Sequence, residues 1–227
     1  MGARRDVDRV VAGNYEHAKL AMNREAGLSL SESVIRGIIG FTVLSVAGFA
    51  PWALGGRWFY RNVGEAGLYA TCAVVFIGLS GPLLHRLLVG PASLARFYKV
   101  FGIAFTGYAI ACIVGWMSLR GHTGSIVGLL AGAVVMACVF AQAFQSWRAL
   151  PTAVAALFAL SAAGYFIGGW VEGAVAGMDL FAGLSRGGRM TIAKLLWGVC
   201  YGVGFGAGLG IALHVCQRDR PSEPQSA

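Results

Sequence analysis

The stretch TIAKLLWGVCYGVGFGAGLGIALHVC, residues 191–216, decides the fold. It exceeds the roughly 20 mostly apolar residues that an α-helix needs to cross the hydrocarbon of a bilayer. Its one fully charged side chain, Lys194, lies near its start. Gly198, Gly202, Gly206 and Gly210 recur at four-residue spacing, with Gly204 and Gly208 beside them. Glycine is costly in the interior of a soluble helix. In a membrane helix it is more frequent, because a row of glycines makes a flat face on which a neighbouring backbone can sit.

Five further windows upstream have the same character. They run Val34 to Leu54, Gly64 to Leu84, Phe97 to Leu119, Gly124 to Phe144 and Thr152 to Val171. None alternates polar and apolar residues as a barrel strand would. The expected fold is therefore all-α, a polytopic bundle of six transmembrane helices. Composition agrees: 57% of the residues are hydrophobic and 12% charged, against about 25% charged in a soluble domain. The mean hydropathy is +0.67.

Residues 1–30 are expected to form a cytoplasmic amphipathic segment, 31–217 the six-helix domain and 218–227 a disordered tail. Within the first segment, Val7, Val10, Val11, Tyr15, Ala18 and Met22 recur at helical spacing over residues 5–26, with charges opposite. Its charges leave no uninterrupted apolar core, so it is not read as a signal peptide and is expected to be retained. Gly27 is a plausible stop for that helix. Ser29 followed by Glu32 has the spacing of a capping box that would start the first span.

Orientation follows from Lys and Arg. Twelve fall on the side of the termini: Arg4, Arg5, Arg9, Lys19, Arg24, Arg36, Arg86, Arg96, Lys99, Arg148, Arg218 and Arg220. Six fall on the other: Arg57, Arg61, Arg120, Arg186, Arg189 and Lys194. The positive-inside rule puts both termini in the cytoplasm and the chain in the cytoplasmic or inner membrane. Trp52, Trp58, Phe59, Tyr60, Trp116 and Trp170 mark outer edges, and Trp147, Phe97 and Tyr98 inner ones, as interfacial belts do.

The net charge is +8. In a soluble chain that would suggest nucleic acid; here the charges sit in ends and loops, and no basic run with interleaved aromatics occurs. No nucleic-acid partner is expected, and the lipid bilayer is the partner these charges fit. The five cysteines lie in or at the ends of spans, without a CxxC pair. They read as small hydrophobes rather than as a disulfide or zinc framework.

Three groups of candidate residues remain. The first is the glycine faces: Gly124, Gly128 and Gly132; Gly164 and Gly168; Gly198, Gly202, Gly206 and Gly210. They predict close helix packing within the chain, in a homo-oligomer or against another membrane protein. The second is an outer polar vestibule of Glu65, Glu172, Asp179 and Lys194. The middle of every span is free of acidic and basic side chains, which argues against an ion-coupled pump. The third holds isolated polar groups. His85 and His214 fall near the inner ends of two spans, where a pair could ligate haem or a metal; no cofactor is predicted from that alone. Gln142, with Gln145, could bond between helices or line a polar path.

Gly78-Leu79-Ser80-Gly81 resembles the GxSG nucleophile motif of rhomboid proteases, which are also six-span proteins with a histidine in the last span. The resemblance implies Ser80 as nucleophile and His214 as base. It covers four residues and one histidine, and the chain departs from the family in placing the serine in the second span rather than the fourth. No Walker A sequence, no HExxH and no aspartate-rich metal-binding run occurs.

The expected function is a small channel or facilitator for a small solute, not strongly ion-coupled. The alternative is a non-catalytic membrane subunit or scaffold packing through its glycine faces. A membrane-embedded enzyme comes third. A continuous polar path between Glu172 and Gln142 would mark the first, and a dry, packed interior the second. The segment 172–190 is expected as a surface loop, an interfacial helix or a re-entrant turn.

Overall fold

The computed structural model describes residues 28–88, 93–177 and 183–219. These form six α-helices: α1 Leu30–Asn62, α2 Gly64–Leu84, α3 Ser93–Leu119, α4 Gly121–Phe144, α5 Leu150–Gly177 and α6 Arg186–Arg218. Each is long and apolar enough to cross a membrane. The chain is an all-α six-helix bundle, a membrane protein by the length and composition of its helices. The expected amphipathic helix over 5–26, Gly27, Asp179 and most of the expected tail lie outside the described residues.

Local chemistry sets the helix ends. The Glu32 backbone N–H donates to Ser29 Oγ at 3.2 Å, and the Ser29 N–H donates to Glu32 Oε2 at 3.2 Å. This closes the predicted capping box at the start of α1. Between α1 and α2 the chain turns at Gly64, whose φ of 74° suits a residue without Cβ. Arg120 and Gly121, at φ 53° and 56°, make the turn between α3 and α4. Gln145, left-handed at φ 55°, ends α4. A short 3₁₀ turn, Trp147–Ala149, then leads into α5, whose second residue, Pro151, lies where no intrahelical N–H is needed.

Helices run further than the apolar windows. The window expected over Val34–Leu54 belongs to a helix of 33 residues, and so does the last one. Hydropathy registers only the hydrocarbon depth, whereas backbone hydrogen bonding carries a helix on into the headgroup zone. The segment 172–190, expected as one connecting element, is divided accordingly. Its first part continues α5 to Gly177, and its last part opens α6 at Arg186 behind the N-cap Ser185, whose Oγ accepts the Gly188 N–H at 3.2 Å.

The helices form a ring in chain order, with α1 closing onto α6. The α1–α6 and α5–α6 pairs are the most extensive, and α2 meets α3 across a thin seam. Glycine explains the extensive pairs. A Cβ on Gly202 would lie 2.6 Å from Thr42 Cα, one on Gly206 would strike the Gly37 carbonyl, and one on Gly210 the Ser33 carbonyl. The opposite side of α6 meets α5: a Cβ on Gly164 would lie 2.7 Å from the Cys200 carbonyl oxygen, and one on Gly208 would lie 2.9 Å from that of Ala156. Helix α6 is thus flattened on two sides. The pair α3–α4 repeats the device, with Gly128 facing the Cys112 carbonyl at 2.8 Å from an added Cβ and Gly124 facing that of Gly115 at 2.9 Å.

Candidate functional site

Two aromatic rows meet at the centre of the ring. On α3, Phe97, Phe101, Phe105 and Tyr108 recur at spacings of four, four and three, which keeps them on one helix face. Successive centroids are 4.8, 5.4 and 6.0 Å apart, all stacked. On α6, Trp197, Tyr201 and Phe205 form a second row, one position out of phase with the glycines that face α1. Phe41 of α1 joins them. Its ring stacks on Phe205 at 4.3 Å and meets Phe76 of α2 edge-on at 5.5 Å. Phe76 in turn stacks on Phe105 at 4.4 Å across the α2–α3 seam. Phe41, Phe97 and Phe205 are fully buried. Pairs in such geometries contribute about 0.5–1.5 kcal/mol each beyond their buried area.

The centre holds one hydroxyl pair, Tyr108 and Tyr201, with their oxygens 3.1 Å apart and both side chains buried. From this pair a line of polar tips leads toward the turn end of α4. Tyr201 stacks on Trp197 at 5.2 Å, and Trp197 meets Tyr165 of α5 at 5.6 Å. The Tyr165 hydroxyl lies 3.3 Å from Ser125 Oγ of α4, and Ser125 donates to the Gly121 carbonyl at 3.2 Å. Elsewhere, Ser45 of α1 donates to the Gly198 carbonyl at 2.8 Å. Where a bond of this kind ties one helix to another in lipid, it is worth about 0.6–2 kcal/mol.

Of the four residues expected as a vestibule, Asp179 lies outside the described residues, and no hydrogen bond or ion pair joins the other three among the described residues. Glu65, exposed on the first turn of α2, accepts the Tyr69 hydroxyl at 3.0 Å on its own helix. Lys194 points to α1, its Nζ 3.9 Å from the centroid of Trp52. Glu172 is part-exposed on α5, a helix not adjacent to α2 in the ring. Gln142 is exposed on α4 rather than lining the interior, and its carbonyl accepts from Gln145 Nε2 at 2.8 Å and from the Gln145 N–H at 3.4 Å. Gln142 thus lies on an outward face of α4, away from the packed rings of the centre.

The glycines at 124, 128, 132, 164, 168, 202, 206 and 210 all face a neighbouring helix of the same chain at closer than ordinary Cβ contact, and Gly198 does so at ordinary contact. His85 Nδ1 lies 2.8 Å from the Gly81 carbonyl one turn earlier. The 3₁₀ turn that carries His85 does reach α6, through Gln217 Nε2 donating to the Leu87 carbonyl at 2.9 Å. No hydrogen bond joins His85 to half-buried His214 among the described residues. Ser80 is buried, and its hydroxyl donates to the Ile77 carbonyl at 2.7 Å. That bond turns the hydroxyl back onto its own helix, with no hydrogen bond to His214 among the described residues. The geometry of a nucleophile and its base is absent there.

Reading α6 for its glycines alone leaves out Trp197 and Tyr201. The signal was available, since Trp197, Tyr201 and Phe205 keep the same four-residue spacing as the glycines next to them. Chemically the centre can pack, stack and exchange one hydrogen bond between phenols. It presents no charged group and, among the described residues, no cluster of three or more metal-ligating side chains.

Compared with protein-family models, with curated proteins and with solved structures, the chain matches none of them.

Proposed function

We propose that the protein is a non-catalytic membrane subunit or scaffold, a rigid bundle that binds partners rather than passing a solute. One observation carries this reading: the centre of the ring is filled. Phe41 has no exposed surface and touches rings from α2, α3 and α6. Close packing of that kind leaves no water-sized path where those rings meet. The glycine faces are occupied within the chain, so a partner would meet the outward faces of the bundle, of which α2, α3 and α5 leave the most uncovered. The twelve-to-six distribution of Lys and Arg supports an inner-membrane setting with both ends in the cytoplasm. A homo-oligomer and a different membrane protein are both compatible partners.

The test pairs two measurements. Proteoliposomes challenged with a panel of uncharged and ionic solutes are expected to be no leakier than protein-free liposomes. Crosslinking in native membranes is expected to capture one stoichiometric partner. Specific solute flux would sink the proposal.

One observation favours the second reading, a facilitator for a small solute. The hydroxyls of Ser125, Tyr165, Tyr201 and Tyr108 line up from one end of the bundle to its middle. Under that reading Tyr108→Phe together with Tyr201→Phe lowers flux. Under the subunit reading the pair changes partner capture little.

A further inference from the structure

We propose that the end of the α1–α6 pair away from the termini is a docking surface for the anionic headgroups of phospholipids. Both helices have 33 residues, so each is about 50 Å long at 1.5 Å per residue. That is roughly 20 Å more than the hydrocarbon core. The excess must stand in or beyond the headgroup layer.

The register of the pair places a group of cations in that excess. Thr191 Oγ1 donates to the Ala53 carbonyl at 3.0 Å, which levels the two helices at those residues. Beyond this point α1 carries Arg57 and Arg61, and α6, read back toward its start, carries Arg189 and Arg186. All four fall within about 12 Å along the helix axes. Lys194 lies just inside the same level, over Trp52.

None of the five has an ion-pair partner among the described residues, and the Nε of Arg189 is buried with no hydrogen-bond acceptor. Glu65, on the first turn of the adjoining α2, is occupied by the Tyr69 hydroxyl. Glu172 of α5 lies at the same end of the bundle and makes no ion pair with any of the five among the described residues, so the described surface is strongly cationic. Exposed Leu54, Trp58 and Tyr60 surround it. Such a mixture of aromatic and apolar side chains belongs at headgroup depth rather than in free solution. An anionic lipid supplies both halves of the match, phosphate for the cations and acyl chains for the apolar rim. The inference rests on the membrane placement of the helices. It is independent of whether the protein is a subunit or a facilitator.

The experiment uses the full-length chain in a neutral detergent. Phosphatidylglycerol or phosphatidylcholine is added, and retained lipid is read by native mass spectrometry. Phosphatidylglycerol is expected to be retained preferentially. The triple variant R57Q/R61Q/R186Q, at three exposed positions, is expected to lose most of that preference, at about fivefold per cation. The variant R96Q/R148Q, at the other end of the bundle, should keep it. Equal retention of the two lipids by the unaltered protein overturns the proposal. So does a triple variant that binds phosphatidylglycerol as before. Should the triple variant fail to fold, the melting temperature of the unaltered protein decides. Phosphatidylglycerol should raise it, while phosphatidylcholine and inorganic phosphate alone should not; a rise with inorganic phosphate alone would mean a free-anion site instead.

Discussion

The contact between α1 and α6 and the contact between α2 and α3 are built from different materials. Along α1–α6, backbone meets backbone: Gly37 against Gly206, Thr42 against Gly202, Ser33 against Gly210. Along α2–α3, side chains bridge a wider gap. Tyr98 lays its ring against Gly81 and donates to the Gly78 carbonyl at 2.7 Å, while Phe76 stacks on Phe105. In lipid there is no hydrophobic force to press helices together, so close approach has to come from dispersion and hydrogen bonds. Glycine rows supply dispersion over the whole length of a pair. Aromatic bridges supply it at points and leave the helices apart between them.

The largest effect should come from filling the backbone contact. In Gly206→Leu the first side-chain atom already strikes the Gly37 carbonyl, and neither backbone can yield without separating α1 from α6. Overpacking of a tight core costs roughly 1–3 kcal/mol when side chains can adjust; here the obstacle is main chain, so more is expected. The variant should lose its monodisperse peak on size exclusion and its cooperative melt. Normal assembly would mean that the α1–α6 pair does not hold the bundle together.

The glycine rows, the six spans and the capping box at Ser29 and Glu32 are local patterns, each tied to one helix and its period. Partner choice is not local. Nothing in the spacing of Gly198 to Gly210 says that α1, rather than a second copy of the chain, lies against it. Depth is also poorly encoded. Gln142 sits in an apolar window and looks embedded, yet it faces outward, because the neighbouring Ala141, Ala137 and Phe140 turn the buried side of α4 elsewhere. Glu65 and Glu172 share an end of the bundle, which the sequence does indicate, but the ring order keeps them on non-adjacent helices.

A middle-sized effect is expected at Ser45. Its hydroxyl is buried and donates to the Gly198 carbonyl at 2.8 Å between α1 and α6. Gly198 makes only ordinary contact with α1, so this bond reinforces the pair where the backbone approach is loosest. Ser45→Ala should cost about 0.6–1.7 kcal/mol, read as a lower melting temperature in nanodiscs with assembly intact. Tyr98→Phe should cost a similar or smaller amount at the seam, because the ring that lies on Gly81 is kept and only the hydroxyl bond is lost. If Tyr98→Phe were the more damaging of the two, the seam would owe its stability to hydrogen bonding rather than to stacked rings.

The smallest effect, and one of opposite sign, is expected at Gly102. This glycine lies on α3, one position after buried Phe101, and a Cβ there would meet nothing within 4 Å. It therefore sits between the bridging points rather than at one of them. Removing a glycine from a helix interior reduces the freedom of the unfolded chain and favours the helix by about 0.5–1 kcal/mol. Gly102→Ala should therefore raise the melting temperature slightly, whereas Gly128→Ala, whose Cβ would lie 2.8 Å from the Cys112 carbonyl oxygen, should lower it. The sign of that difference separates a glycine that keeps a backbone close from one that merely occupies an open gap. A fall in melting temperature for Gly102→Ala would show that α2 and α3 come closer together in the bilayer than the open space around Gly102 implies.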